Sequence, residues 1–133
     1  MPVVGGKKYI LGIIDRFSRY ISLTAVNSQD EATLITTIQH KWIFRFGAPA
    51  NIHVDRGKVF ESKSFKEYAK SMLITIHFSS PYHHSSNGII ERQFRTIRDA
   101  LNATLKDRGG SNWVDILPEI EFSINVSRKA LFG

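Results

Sequence analysis

The sequence predicts an α/β fold, a mixed sheet flanked by helices, and three observations lead to it. Segments rich in β-branched and aromatic residues alternate with segments of helical apolar spacing, in the order strand, strand, helix, strand, helix, strand, helix, helix. The length, 133 residues, suits one compact domain spanning 1–133. A composition of 42% hydrophobic and 23% charged residues is that of a globular chain, neither disordered nor membrane-embedded.

Tyr9 to Ile14 and Tyr20 to Val26 read as an antiparallel hairpin joined by Arg16-Phe17-Ser18-Arg19. Ser28 with Glu31 three residues on has the form of a capping box, and Leu34, Ile38, Trp42 and Phe46 then recur at near-helical spacing until Gly47 and Pro49. Asn51 to Asp55 is a short strand broken at Arg56-Gly57. A second capping box, Ser64 with Glu67, precedes a helix carrying Phe65, Tyr68, Ala69 and Met72. Leu73 to Phe78 alternates as a strand and enters a polar, glycine-bearing loop from Ser79 to Gly88. Ile90, Phe94, Ile97, Leu101 and Leu105 make the stripe of a long amphipathic helix ended by Gly109-Gly110. A last helix runs from Trp113 through Ile124, where Pro118 implies a kink or a fresh start.

Composition also excludes chemistry. The chain has no cysteine, which removes disulfides, thiolate catalysis and cysteine-containing zinc sites. His77, His83 and His84 lack a helical or Cys-assisted ligand spacing, so zinc is not expected. No apolar run is long enough for a signal peptide or a membrane span, which predicts an intracellular, non-secreted protein with no membrane partner. Asn102-Ala-Thr and Asn125-Val-Ser match the glycosylation pattern by chance on that reading. The formal charge of +6 suits a nucleic-acid partner, although it also serves solubility.

Two carboxylates stand out. Asp55 closes a strand, where open α/β sheets place ligands, yet Asp-x-Gly also makes ordinary turns. Glu91 begins the long helix, and Arg95 and Arg98 fall within about 40° of it around the helix axis. A carboxylate and two guanidinium groups thus share one face, which otherwise reads as a solvated surface with Glu–Arg pairing.

The two carboxylates are separated by 35 residues, and their surroundings carry a resemblance. Ile14-Asp15-Arg16-Phe17-Ser18-Arg19-Tyr20, Phe46-Gly47-Ala48-Pro49, Ile52-His53-Val54-Asp55-Arg56-Gly57, Phe60-Glu61-Ser62 and the run Ser80 to Arg92 occur in order over nearly the whole chain. The sequence resembles the integrase catalytic core of retroviruses and gypsy-class long-terminal-repeat retrotransposons. The resemblance implies a ribonuclease-H-like sheet and a catalytic set of Asp, Asp, 35 residues, Glu, in which Asp55 and Glu91 are the second and third members. Met1-Pro2 looks like the tail of the family's first-strand motif. The first Asp is therefore expected a few residues before Met1, with the chain truncated before its first strand and without the family's zinc-binding and C-terminal DNA-binding domains. Asp15 then becomes a turn carboxylate pairing locally with Arg16 or Arg19.

The resemblance also implies two Mg²⁺ (or Mn²⁺) ions held by the complete carboxylate set, whose chemistry is in-line displacement at phosphorus. Water trims the 3′ ends of the element's DNA, and the freed hydroxyls attack target DNA. Tyr82, His83, Ser86 and Asn87 of the loop, with Arg95, Arg98 and Lys58, are the implied DNA contacts, the alternative for the loop being an ordinary surface segment. His84 and Ser85 replace the family's usual Pro and Gln. The implied partners are DNA and a second copy of the core as a homodimer, and the implied place of action is the nucleus. Two competing readings are a catalytically inactive, integrase-derived remnant that binds nucleic acid or protein, and a ribonuclease H of the same fold.

Overall fold

The computed structural model describes residues 4–54, 57–78, 88–109 and 112–132, and in it the predicted order of elements is observed. The chain divides into two compact units, Met1–Asn27 with Ile89–Gly133, and Ser28–Gly88. The described strands form two two-stranded sheets, an antiparallel pair in the first unit and a parallel pair in the second.

In the first unit β1 (Tyr9–Ile14) pairs with β2 (Ile21–Val26), in the register Tyr9 opposite Val26 through Ile14 opposite Ile21. Gly5 and Gly6 both have positive φ, 56° and 79°, in the two-residue turn that lets Val4 bridge Lys7 ahead of β1. That conformation suits glycine because both central residues of such a turn are left-handed. Two helices complete the unit, α4 (Gly88–Asp107) and α5 (Trp113–Phe132). Ile97 and Leu101 of α4, and Trp113, Ile116, Leu117 and Ile120 of α5, are buried with Ile21 and Leu23 of β2 in one cluster. Each fully buried side chain of this kind contributes about 1.5–3 kcal/mol. Gly12 on β1 is required by close approach, since a Cβ there would lie 2.5 Å from Cε1 of Phe94.

The helix α5 is continuous through Pro118 with no fresh start. Its first turn is held by Asn112, whose Oδ1 accepts from the backbone N–H groups of Val114 and Asp115 at 3.0 and 3.4 Å. Its inner face reaches the outer edge of β2. Asn125 Oδ1 accepts from the N–H of Ile21 at 2.9 Å and Asn125 Nδ2 donates to the carbonyl of Ile21 at 3.0 Å. Glu121 Oε1 accepts from the N–H of Leu23 at 2.7 Å. Side chains of a helix thus take the place of a neighbouring strand. The Asn125 amide, matched by a glycosylation pattern, is committed to this contact.

In the second unit α1 (Glu31–Ile38) passes through a π-helical turn, Gln39–Ile43, into a final turn α2 (Phe44–Phe46). The first capping residue is Asp30 and not Ser28. Asp30 Oδ1 accepts from the N–H of Thr33 at 2.8 Å, and Ser28 Oγ accepts from the N–H of Asp30 at 3.2 Å. After β3 (Asn51–Val54) comes α3 (Lys63–Ser71), capped by Ser62 and not Ser64, with Ser62 Oγ accepting from the N–H of Phe65 at 3.3 Å. In each helix the true cap lies two residues from the predicted one. Ser, Asp and their neighbours compete for the same role, and the winner is set by where the preceding loop turns.

The last strand, β4 (Thr75–Phe78), lies parallel to β3, with Asn51 opposite Thr75 and Val54 opposite Phe78. It starts two residues later than the predicted Leu73, which has φ 60° and lies in the turn that ends α3. Among the unit's described residues, Leu34, Thr37, Ile38, Ile43, Phe65, Ala69 and Ile74 are buried. Among the described residues no helix is long and apolar enough to cross a membrane.

Candidate functional site

The parallel pairing of β3 and β4 sets Val54 beside Phe78 at their carboxyl ends. From those paired positions the sequence continues to Asp55 after β3 and to Ser79 after β4. Adjacent carboxyl ends of parallel strands are where α/β sheets present ligand-binding groups. Asp55 itself lies outside the described residues, and so do Tyr82, His83, Ser86 and Asn87. Lys58, in the turn after β3, is exposed.

Glu91 sits in the first turn of α4, where the partial positive charge of the helix terminus favours a carboxylate. Glu91, Arg95 and Arg98 are all exposed, while Gln93, Ile97 and Leu101 face inward. The pairing of Glu91 with Arg95, the alternative reading of this face, does not form. Among the described residues no ion pair or side-chain hydrogen bond engages Glu91, Arg95 or Arg98. One helix face therefore offers an unneutralised carboxylate followed by two unneutralised guanidinium groups. The carboxylate is a hard oxygen donor suited to a divalent cation such as Mg²⁺, and the guanidinium groups suit phosphate. Among the described residues no three His, Asp or Glu side chains gather as a metal cluster.

Asp15 is a turn residue, as expected, but its main partner differs from the expected arginines. Asp15 Oδ2 accepts from Ser18 Oγ at 2.6 Å and from the N–H of Ser18 at 3.2 Å. The Ser18 hydroxyl, with backbone N–H groups of Ser18 and Phe17 and the charge of Arg19, holds the carboxyl below its ordinary pKa against the opposing effect of burial. Arg19 Nη1 donates to the carbonyl of Arg16. The short side chain of Ser18 returns to Asp15 at lower entropic cost than a long arginine would.

Sequence reading did not find the polar group on the exposed face of the β3–β4 pair. His53 and His77 are directly opposite in register, and their rings stack with centroids 4.7 Å apart and planes 15° from parallel. Asn51 Oδ1 lies 2.8 Å from His77 Nε2. No local spacing announces this arrangement, because only the register of two distant strands creates it.

Comparison with known proteins agrees with this picture. Residues 1–84 match the family described as the integrase core domain. The Gag-Pol polyprotein of Avian reticuloendotheliosis virus is 30% identical over 115 residues, which cover 86% of this chain and 10% of that protein. The Pro-Pol polyprotein of Simian foamy virus type 3 (strain LK3) is 28% identical over 127 residues, covering 96% of this chain and 11% of that protein. The chain thus spans about a tenth of the length of the curated relatives it matches. Among solved structures, a simian T-cell lymphotropic virus intasome in complex with PP2A regulatory subunit B56 gamma superposes with a TM-score of 0.75 at 22% identity, covering 87% of this chain and 46% of that one. The HTLV-2 integrase catalytic core domain in complex with magnesium, in its trimeric form, superposes with a TM-score of 0.68 at 20% identity, covering 86% of this chain and 80% of that one. These likenesses establish the fold as the mixed, ribonuclease-H-like α/β architecture of integrase catalytic cores.

Proposed function

This chain belongs to the integrase core domain family, and we propose that residues 1–133 act as the catalytic core of a gypsy-class integrase that trims element DNA at its 3′ ends and joins those ends to target DNA. The observation that carries the reading is the α4 face, where Glu91 stands free of the arginines that an ordinary solvated helix would pair with it. Asp55 and Glu91 are the residues that would hold divalent metal. Two Mg²⁺ (or Mn²⁺) ions held there would supply the Lewis acidity for in-line displacement at phosphorus.

Within this reading Arg95, Arg98 and Lys58 grip phosphate groups of the DNA, as guanidinium and ammonium donors do. Tyr82, His83, Ser86 and Asn87 position the strand near the carboxylates. One solved relative, the HTLV-2 integrase core in complex with magnesium, supports metal use, and its trimeric and dimeric forms support assembly in more than one copy. The partners are accordingly DNA and a second copy of this chain, and the place of action is the nucleus.

The test is a strand-transfer assay with a 3′-recessed donor oligonucleotide in the full-length protein. Asp55→Asn and Glu91→Gln are each expected to abolish joining while circular dichroism stays that of the parent. Joining retained in either folded variant removes the assignment. Cleavage of an RNA–DNA hybrid without joining assigns a ribonuclease H instead.

A further inference from the structure

We propose that Phe17, at the tip of the β1–β2 hairpin, is a stacking platform for an unpaired base of nucleic acid. Among the described residues it is the most exposed of the large hydrophobic side chains, at 94%. Single apolar residues on a surface are ordinary, and two further observations set this one apart.

The first is the order of the turn that carries it. The N–H of Asp15 donates to the carbonyl of Tyr20 at 2.8 Å, and the N–H of Arg19 to the carbonyl of Asp15 at 2.7 Å. Inside the loop, Asp15 Oδ2 accepts from the hydroxyl and the N–H of Ser18, while Ser18 Oγ accepts from the N–H of Tyr20 at 3.1 Å. Arg19 takes φ 65° to close the turn. A backbone tied in this way leaves only the two torsions of the ring to be fixed when a flat partner arrives, so little freedom is lost on contact.

The second is charge. Arg16 and Arg19 flank Phe17, against one carboxylate, Asp15, whose oxygen is already engaged by Ser18. Arg19 Nη1 donates to the carbonyl of Arg16, and the remaining donors of that guanidinium suit a phosphate oxygen. A ring beside cations matches a strand in which bases alternate with phosphates. Docking on a membrane or a protein calls for a contiguous apolar patch, and the neighbours on either side, Arg16 and Ser18, are polar and exposed. Bases within a duplex are already stacked on both faces, so the base that meets Phe17 is unpaired, as in the 5′ overhang of a 3′-recessed DNA end. This inference rests on the reading of DNA as the partner, and not on the metal chemistry.

The experiment measures binding of the full chain, at one fixed salt concentration, to a single-stranded oligodeoxynucleotide, to the same strand with abasic sites and to a blunt duplex. Phe17→Ala is expected to weaken single-strand binding about tenfold, and Phe17→Tyr to leave it within about twofold. On the abasic strand and the duplex, Phe17→Ala should change affinity by less than about twofold. An aminopurine base placed in the single strand should lose fluorescence on binding the parent but not Phe17→Ala. Circular dichroism confirms that both variants are folded. Single-strand binding by Phe17→Ala at the parent's level, or an equal loss on all the probes, overturns this proposal alone. A parent that binds none of the probes overturns the DNA reading with it.

Discussion

Leu73 occupies a backbone conformation that ordinarily belongs to glycine. It follows α3 with φ 60°, and the chain closes there with the N–H of Ile74 donating to the carbonyl of Ala69 at 2.8 Å and that of Leu73 to Lys70 at 3.1 Å. These are the two bonds of a Schellman motif, whose left-handed residue is usually glycine. A left-handed non-glycine residue is strained by about 1–2 kcal/mol, and the greater freedom of glycine in the unfolded chain offsets about 0.5–1 kcal/mol of the relief. Leu73 is 88% exposed, so little burial is lost. Leu73→Gly is expected to raise stability by about 0.5–1 kcal/mol in urea denaturation, and a loss of stability would contradict the strain argument. An apolar residue next to a strand reads as strand, which is why sequence pattern misplaced this one. Asp15 gives a second expectation at this scale. Its carboxyl is held below its ordinary pKa, first by the Ser18 hydroxyl, so its contribution is full above the unfolded value of about 4 and fades as pH falls through the lower folded value. Asp15→Ala should therefore destabilise at neutral pH, with the gap between variant and parent closing below about pH 4. A gap that stays constant down to about pH 2 would show that the charge is not its source.

At the scale of elements, two helices depart from their sequence patterns for identifiable reasons. The stripe of Leu34, Ile38, Trp42 and Phe46 holds only over its first half. Leu34 and Ile38 are buried, but Phe46 is 55% exposed, and Ile43 takes the buried position. The π-helical turn is the cause, since the N–H of Phe44 bonds to the carbonyl of Gln39, five residues back, and shifts every later side chain around the axis. Trp42 and Phe46 still pack against each other, with centroids 4.8 Å apart. In α5 the informative residue is polar. The Asn125 amide satisfies both backbone groups of Ile21, so β2 has no free edge there. Asn125→Ala leaves a part-buried N–H and C=O without partners, and unsatisfied groups of this kind cost about 1–3 kcal/mol. A destabilisation of about 2 kcal/mol is expected by chemical denaturation. A change within about half a kcal/mol would mean that water replaces the amide.

At the scale of the whole molecule, the proposed second copy needs apolar surface to cover, and α5 offers some. On α5, Phe122 is 69% exposed and Val126 45%, one helical turn apart. Phe122→Asp is expected to shift the homodimer proposed above towards monomer in light scattering at matched concentration. An unchanged mass would place self-association elsewhere.

By itself the sequence determined the kind and order of the elements. It also determined the long α4, on which Glu91, Arg95 and Arg98 share one face, because apolar periodicity and the 3.6-residue turn are local properties. Caps and the start of β4 slipped by two residues, as local signals compete there and tertiary contacts choose among them. Only the tertiary structure decided that Asn125 closes a strand edge and that His53 stacks on His77. Each joins groups distant along the chain, and register between strands is set by burial and backbone hydrogen bonding across the sheet, which no short stretch of sequence contains.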